Sequence, residues 1–336
     1  MNDTIILAGD IGGTKTSLAL FSRDGWPGPP LRRETYANRG ADGVATLIDR
    51  FLAGTDLRPA AACLGVAGPV FGNRVQLTNL DWQIDGPALA RRFALDRVLL
   101  VNDLVATAMG ALLLDDASLW TINPGRPDPG ATGCILAPGT GLGEAWVVRD
   151  QGRLLPRASE GGHAAFAPRD ELQLELLRFM QQRRGHVSVE DVCSGRALSS
   201  LFDFLRQHET TPSWLEDELR AAADPTPVLV AAAVAAAGEG RDCAIAVATV
   251  RLFLDILAGE AANLALKTLA LAGVHIGGGM APRVLPLLDP ERFMAIFSQG
   301  VYHEMLGRIP VWVVLDPDVA LAGAASCGIA ALRENP

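Results

Sequence analysis

The chain has 336 residues and a formal net charge of −9, and it is 49% hydrophobic and 20% charged. This length exceeds what one hydrophobic core usually supports, so two lobes are expected. The apolar content excludes an intrinsically disordered chain. The acidic balance argues against a surface that neutralises nucleic-acid phosphates or anionic lipid, so we expect a small soluble ligand and neither a nucleic-acid nor a membrane partner.

The predicted elements alternate along the chain. Runs of β-branched and apolar residues predict strands at 4–8, 17–21, 60–67, 98–101, 132–137, 273–276 and 311–315. Helical spacing of apolar residues predicts helices at 41–52, 87–93, 103–114, 171–184, 195–207 and 319–333. Because strands and helices alternate, the fold class is α/β.

The most apolar long stretch covers residues 243–272 and predicts a mostly buried helix that Gly259 can interrupt. Arg251 and Asp255 lie on one face of this helix, and Glu260 and Lys267 lie on nearly the opposite face. Charge on two sides argues against a membrane span.

Composition shifts at 114–118 and 316–318 predict two crossings between lobes. The predicted small lobe is 1–114 plus 317–336, to which the last helix returns, and the predicted large lobe is 115–316.

The cysteines and the first residues favour a cytoplasmic location. Five cysteines lie far apart without a CxxC pair, which predicts buried thiols in a reducing compartment. The start of the chain has no basic segment of the kind that opens a secretory signal.

Two glycine-rich segments are candidates for phosphate binding. Residues 9–16 read GDIGGTKT between two β-prone runs, which predicts a hairpin tip with exposed amides and glycines that tolerate positive φ. Residues 139–143 read GTGLG. Neither segment fits the Walker A or the dinucleotide fingerprint. The alternative for each is an ordinary glycine turn.

One carboxylate stands where a catalytic base is expected. Asp103 follows the apolar strand 98–101 and opens a helix, and ligands gather at the carboxyl ends of strands in open α/β sheets. Phosphoryl transfer needs a group that accepts the hydroxyl proton. The alternative is that Asp103 or Asn102 caps the helix.

Seven segments together resemble the bacterial glucokinase family. They are GDIGGTKT at 9–16, TNLDW at 78–82, VNDLVATAMG at 101–110, APGTGLGEA at 137–145, EGGHAAFAP at 160–168, GHVSVEDVCSG at 185–195 and GGGMAPRVL at 277–285. The similarity runs in order from residue 5 to about residue 328. It implies a two-lobed actin-like ATPase fold, hexokinase-type and ribonuclease H-like, with a cleft between the lobes, and a homodimer. It also implies ATP-dependent phosphorylation of D-glucose at the 6-hydroxyl with Mg²⁺.

The resemblance also assigns site residues. It makes Asp103 the catalytic base and gives glucose the ligands Asn102, Asp103, Glu160, His163 and Glu190. It gives ATP and its phosphates Gly9, Asp10, Gly12, Gly13, Thr14, Gly139, Thr140, Gly141, Gly277 and Gly278, with Asp10 holding Mg²⁺ through water. Asn79 and Trp82 resemble the family's sugar-side loop, although a tryptophan there is equally suited to the core.

Simpler interpretations remain for several of these residues. His163 also fits a solvated loop histidine, and Glu190 fits a carboxylate that complements a helix dipole. Gly161 and Gly162, between Glu160 and His163, let backbone approach a ligand closely. At the level of function, the alternatives are a kinase for another hexose or another phosphoryl donor, a sugar sensor without turnover, and an actin-like scaffold.

Overall fold

A computed structural model describes residues 3–77, 80–238 and 240–333. Thirteen strands occur in this part of the chain: β1 Ile5–Ile11, β2 Lys15–Ser22, β3 Arg32–Ala37, β4 Ala61–Val66, β5 Arg74–Gln76, β6 Gln83–Asp85, β7 Arg97–Asn102, β8 Leu119–Asn123, β9 Gly133–Pro138, β10 Leu142–Asp150, β11 Arg153–Ser159, β12 Gly273–Ile276 and β13 Val311–Val314.

The α-helices of the same residues are α1 Val44–Ala53, α2 Gly86–Phe93, α3 Asp103–Ala111, α4 Glu171–Gln181, α5 Ala197–Leu205, α6 Ser213–Ala221, α7 Pro225–Ala237, α8 Ala244–Thr268, α9 Pro290–Phe297, α10 His303–Arg308 and α11 Val319–Arg333. Short 3₁₀ helices cover Asp116–Ser118, Gly161–His163 and Ala281–Leu287.

The chain divides into two compact units. Unit 1 comprises 1–118, 150–158 and 316–336, and unit 2 comprises 119–149 and 159–315. The lobes predicted from the sequence, 1–114 plus 317–336 and 115–316, have somewhat different bounds.

Unit 1 is built on a five-stranded sheet with the order β3-β2-β1-β4-β7. Strands β1 and β2 form an antiparallel hairpin, and β4 and β7 run parallel to β1. Helix α11 packs closely on α3, because Gly110 lies against the Val319 carbonyl and Gly323 lies against the Ala106 carbonyl. A Cβ atom at either glycine would collide with backbone, so this close packing fixes the helix that begins at Asp103.

Unit 2 has its core between helices and a second sheet, in which the strands of this unit have the order β10-β9-β12-β13-β8. Strands β9 and β10 are an antiparallel hairpin, and β12 lies parallel between β9 and β13. The buried centre is α8, a helix of 25 residues. Within the described residues, no helix is long and apolar enough to cross a membrane.

The possible interruption of α8 at Gly259 does not occur. The helix continues through this residue, and the Gly259 carbonyl accepts a hydrogen bond of 3.2 Å from the Arg169 guanidinium. A Cβ atom at position 259 would lie 2.8 Å from Arg169 Cδ. The glycine therefore makes room for a neighbouring side chain instead of breaking the helix.

Candidate active site

The first glycine turn is the tip of the β1–β2 hairpin, as its sequence predicts. The Gly12 amide donates to the Lys15 carbonyl at 3.0 Å and closes the turn. Within the described part of the chain, the amides of Gly13 and Thr14 have no hydrogen-bond partner. Neither Gly12 nor Gly13 has a positive φ. The expectation that this turn needs glycines for a positive φ was therefore wrong. The two unpartnered amides are suited to an anion.

Asn38 braces this turn from the end of β3. Its buried side chain donates to the Gly12 carbonyl and accepts from the Thr16 hydroxyl, both at 2.8 Å. Its backbone amide donates to the Thr14 carbonyl at 2.9 Å. Asn38 was not predicted, because a single asparagine carries no sequence pattern that connects it to a turn more than twenty residues earlier.

Asp10 and Asp103 lie at the same edge of the unit 1 sheet, with one strand between them. Asp10 pairs with Gly65 of β4, and Gly65 pairs with Val101 of β7. A Cβ atom on Gly65 would lie 3.7 Å from the Cα atom of Asp103, which shows how closely this strand approaches the start of α3. The parallel strands therefore bring the two predicted carboxylates together within unit 1.

Burial raises the pKa of Asp10, and the charge of Asp318 raises it further while Lys15 lowers it. A cation near Asp10 would offset this cost of ionisation. Gly9, one residue earlier, lies inside β1, where a Cβ atom would be 2.6 Å from Leu64 Cδ2. Its small size therefore serves packing within the sheet.

Asn102 caps helix α3, as one of the alternatives from sequence allowed. Its Oδ1 atom accepts from the Leu104 amide at 2.9 Å, and its Nδ2 atom donates to the Gly68 carbonyl at 3.2 Å. Asp103 is the first residue of the helix, and its Oδ1 atom also accepts from the Leu104 amide at 2.9 Å. The cap thus holds Asp103 at the helix N-terminus, where the helix dipole favours a carboxylate.

The second glycine turn is the tip of the β9–β10 hairpin in unit 2. The Gly139 amide donates to the Gly141 carbonyl at 2.8 Å, and the Gly139 carbonyl accepts from the Gly195 amide at 2.7 Å. In the described ranges, the amides of Thr140 and Gly141 have no partner. Gly195, which begins a predicted helix and ends the segment 185–195, is therefore part of this turn's support.

The segment at Gly277 and Gly278 lies directly beside the second turn. The Gly277 amide donates to the Leu136 carbonyl at 2.7 Å, and the Met280 amide donates to the Pro138 carbonyl at 3.1 Å. Gly278 has φ 73°, and a Cβ atom there would be 2.5 Å from the Pro138 oxygen. Only glycine fits this position, so the structure brings the two predicted nucleotide segments of unit 2 together.

The three predicted sugar ligands of unit 2 lie on two connected segments. The Glu190 amide donates to the Gly162 carbonyl at 2.8 Å, which joins the segment of Glu190 to the turn of Glu160 and His163. Glu190 Oε2 accepts from the Leu142 amide at 2.8 Å. The side chains of Glu160 and His163 are 73% and 62% exposed, with 4.0 Å between Glu160 Oε2 and His163 Nε2. Exposed polar groups of this kind are free to bind hydroxyls.

Gly161 and Gly162 serve packing, a role that the sequence did not indicate. A Cβ atom on Gly161 would collide with the carboxyl group of Glu144, and one on Gly162 would collide with the Leu142 carbonyl. Both contacts are with β10, so the glycines let the Glu160–His163 turn approach this strand.

Asn79 and Trp82 were the two residues that resembled the family's sugar-side loop. Asn79 lies outside the described residues. Trp82 is buried in the core of unit 1. No group of three or more metal-binding side chains occurs in the part of the chain that the structure describes.

Comparison with known proteins gives one consistent family. A sequence model of the glucokinase family matches residues 7–331. The chain is 37% identical to a glucokinase of Synechocystis sp., over 96% of this chain and 97% of the relative. A crystal structure of a glucokinase from an Antarctic psychrotroph has a TM-score of 0.84 and 30% identity, covering 97% and 99% of the two chains.

A more distant structure shares the fold. It is a ROK family glucokinase from Streptomyces griseus in complex with glucose and AMPPNP, with a TM-score of 0.65 and 22% identity, and it covers 97% of this chain and 99% of that one. These similarities confirm the predicted α/β class and the actin-like ATPase fold of sugar kinases.

Proposed function

Because the chain belongs to the glucokinase family, we propose that it transfers the γ-phosphoryl group of ATP to the 6-hydroxyl of D-glucose. Members of this family are hexose kinases, so the chain is an enzyme. The observation that carries the proposal is the position of Asp103, which lies at the N-terminus of α3 and one strand from Asp10 at the edge of the sheet.

Asp103 is the proposed catalytic base. A carboxylate at the start of a helix is stabilised in its ionised form, and it can accept the proton of the attacking hydroxyl. Alignment of the hydroxyl with the phosphoryl group accounts for much of the remaining rate, because the transition state is loose. Asn102, Asp103, Glu160, His163 and Glu190 are the proposed ligands that orient the sugar.

The unpartnered amides of both turns are the proposed phosphate donors. In unit 1 these are the amides of Gly13 and Thr14, and in unit 2 they are those of Thr140 and Gly141. Gly12 and Gly139 use their own amides to close the turns, so their contribution is to shape the backbone. The Gly277–Gly278 segment, which lies beside the second turn, is the proposed backbone contact for adenosine.

Asp10 is the proposed Mg²⁺ residue. Mg²⁺ retains waters and is usually held by one or two carboxylates together with substrate phosphates, and a single partly buried aspartate fits that pattern. The ion supplies charge screening for the phosphate oxygens when it is bound.

Glycolysis, a cytoplasmic location and a homodimer belong to the same proposal. All five cysteines are buried free thiols, which supports a reducing compartment. Light scattering with size-exclusion chromatography tests the homodimer.

The experiment is a coupled assay for glucose 6-phosphate with Mg-ATP, run against a panel of hexoses and with ADP and polyphosphate as donors. Glucose-selective turnover with ATP is expected. Turnover with another sugar would retain the mechanism and change the substrate. A folded protein with a glucose-dependent thermal shift and no turnover would indicate a sensor instead.

A further inference from the structure

Glu144 is a buried carboxyl group that the proposed mechanism does not use. It lies on β10, three residues after the Gly141 amide, and only 2% of the residue is exposed. Among the described residues, its Oε1 atom has no hydrogen-bond partner. A buried carboxylate without full hydrogen bonding costs free energy, so such a group calls for an explanation.

A second buried carboxylate interacts with it electrostatically. Glu260 of α8 is 5% exposed, and its Oε1 atom also lacks a hydrogen-bond partner in the described ranges. Glu260 has its own cation and donor, because Lys267 Nζ lies 3.6 Å from Oε1 and Asn263 Nδ2 donates to Oε2 at 2.9 Å. Burial first and the charge of Glu260 second raise the pKa of Glu144 to about 7, while Lys267 lowers it.

The Glu144 carboxyl group also supports the turn that bears two of the proposed sugar ligands. Its Oε2 atom occupies the space where a side chain at position 161 would be, directly under the turn of Glu160 and His163. The same strand contacts the turn through the Leu142 carbonyl beneath Gly162. The turn therefore rests on β10 at two adjacent points, one of which is an ionisable group.

We propose that Glu144 is a positioning residue for sugar binding, which in its protonated form holds the Glu160–His163 turn against β10. Ionisation adds a second negative charge beside Glu260 in a poorly solvated space. The carboxylate then gains by moving toward water, which displaces Gly161 and the two ligands beside it. This inference rests on the proposed function, because it assumes that Glu160 and His163 bind the sugar.

Other titratable groups surround Glu144 and enter the interpretation of any pH profile. Glu260 and Lys267 approach from α8, and Cys134 on β9 and Cys193 before α5 are both influenced by the charge of Glu144 or Glu260. Burial raises the pKa of both thiols, so they stay protonated at neutral pH. Glu160 and His163 lie on the turn itself.

The test is the KM for glucose as a function of pH in the wild type and in Glu144→Gln. Glutamine retains the shape of the protonated acid but cannot ionise. We expect the wild-type KM to rise roughly three- to tenfold between pH 6 and pH 8.5, since small displacements of binding groups have effects of this order. The KM of the variant should stay within about twofold of its value at pH 6.

Exposed Glu175 of α4 provides the matched control, and Glu175→Gln should follow the wild-type curve. The KM for ATP serves as an internal control in each protein. The other ionisable groups of the site are present in wild type and variant alike, so the difference between the two curves reports Glu144.

If the wild type and Glu144→Gln share one KM profile, the positioning role is wrong while glucose phosphorylation stands. Absence of glucose turnover at every pH would instead overturn the proposed function. If Glu144→Gln does not fold, Glu260→Gln replaces it. Removing that neighbouring charge should shift the rise in KM to lower pH, and an unshifted rise would contradict the role of Glu144.

Discussion

The two glycine turns have the same hairpin form but different supports. The turn in unit 1 is braced by Asn38, a neutral buried side chain that bonds to backbone and hydroxyl groups. The turn in unit 2 is followed by Leu142, whose amide donates to the carboxylate of Glu190. Glu190 is also a proposed sugar ligand, and Glu144 lies two residues beyond Leu142. The second turn is therefore supported by a carboxylate of the proposed sugar site, whereas the first is supported by a neutral side chain.

The largest expected effect concerns the catalytic base of unit 1. Asp103→Asn should reduce kcat by ~10²–10⁴ and change the KM for glucose only a few-fold, because the amide can still bind a hydroxyl but cannot accept its proton. Steady-state kinetics measures both constants. Asp96→Asn, at an exposed position before β7, is the control and should be near wild type. Wild-type turnover by Asp103→Asn would remove the assigned role.

The next effect tests the dual contact of Glu190. Glu190→Gln retains an acceptor for the Leu142 amide, so we expect it to raise mainly the KM for glucose, by about tenfold. Glu190→Ala removes the acceptor and should raise the KM for ATP as well. Equal effects of the two variants on ATP would mean that the second turn does not depend on this bond.

Glu160→Gln completes that test. In the proposal Glu160 binds the sugar, as Glu190 does, but it does not support the second glycine turn. It should raise the KM for glucose alone. An unchanged KM in both Glu160→Gln and Glu190→Gln would place the sugar elsewhere.

The brace of the first turn gives a smaller effect. Asn38→Ala removes one buried and one partly buried side-chain hydrogen bond, so we expect a loss of about 1–3 kcal/mol in the free energy of unfolding. The KM for ATP should rise several-fold and the KM for glucose should not change. Asn123→Ala in unit 2 likewise removes two side-chain hydrogen bonds, both donated to carbonyls, and is the matched control for stability. A KM for ATP that rises equally in both variants would show a general effect of destabilisation.

The smallest expected effect is on the pH dependence of stability, and it concerns unit 2. The pKa of Glu144 is raised from 4.5 to about 7, so between these values the folded protein holds a proton that the unfolded chain has lost, and stability falls as pH rises. Burial lowers the pKa of His275 from 6.5 to about 4, so here the unfolded chain holds the extra proton and stability rises with pH. In the wild type the two slopes oppose each other between pH 4.5 and 6.5.

Urea unfolding of Glu144→Gln and His275→Gln at pH 5, 5.5, 6 and 6.5 separates the two groups. In Glu144→Gln only the slope from His275 remains. The free energy of unfolding of this variant should fall by about 1 kcal/mol for each pH unit by which the pH is lowered. His275→Gln should show the opposite slope. Parallel profiles of the two variants would contradict both assignments.

The sequence by itself determined many of the elements, the first hairpin and the family. Alternating apolar runs and helical spacing are local properties, which is why β4, β7, α2 and α11 lie close to their predicted ranges. Strands β3, β5, β6, β8, β10 and β11 and helices α6, α9 and α10 were not predicted. The glycine motifs were recognisable because few turns tolerate another residue at Gly278 and similar positions.

Only the tertiary structure decided how the predicted residues are supported. Asn38, Gly195 and Glu144 act through contacts with residues distant in sequence, and no local pattern encodes such pairings. The same is true of Gly161 and Gly162, whose small size serves contact with β10. Two glutamates that look alike in the sequence also differ in burial. Glu175 is exposed, whereas Glu144 is buried where ionisation is costly. A side chain's charge state depends on this surrounding, which the chain acquires only when it folds.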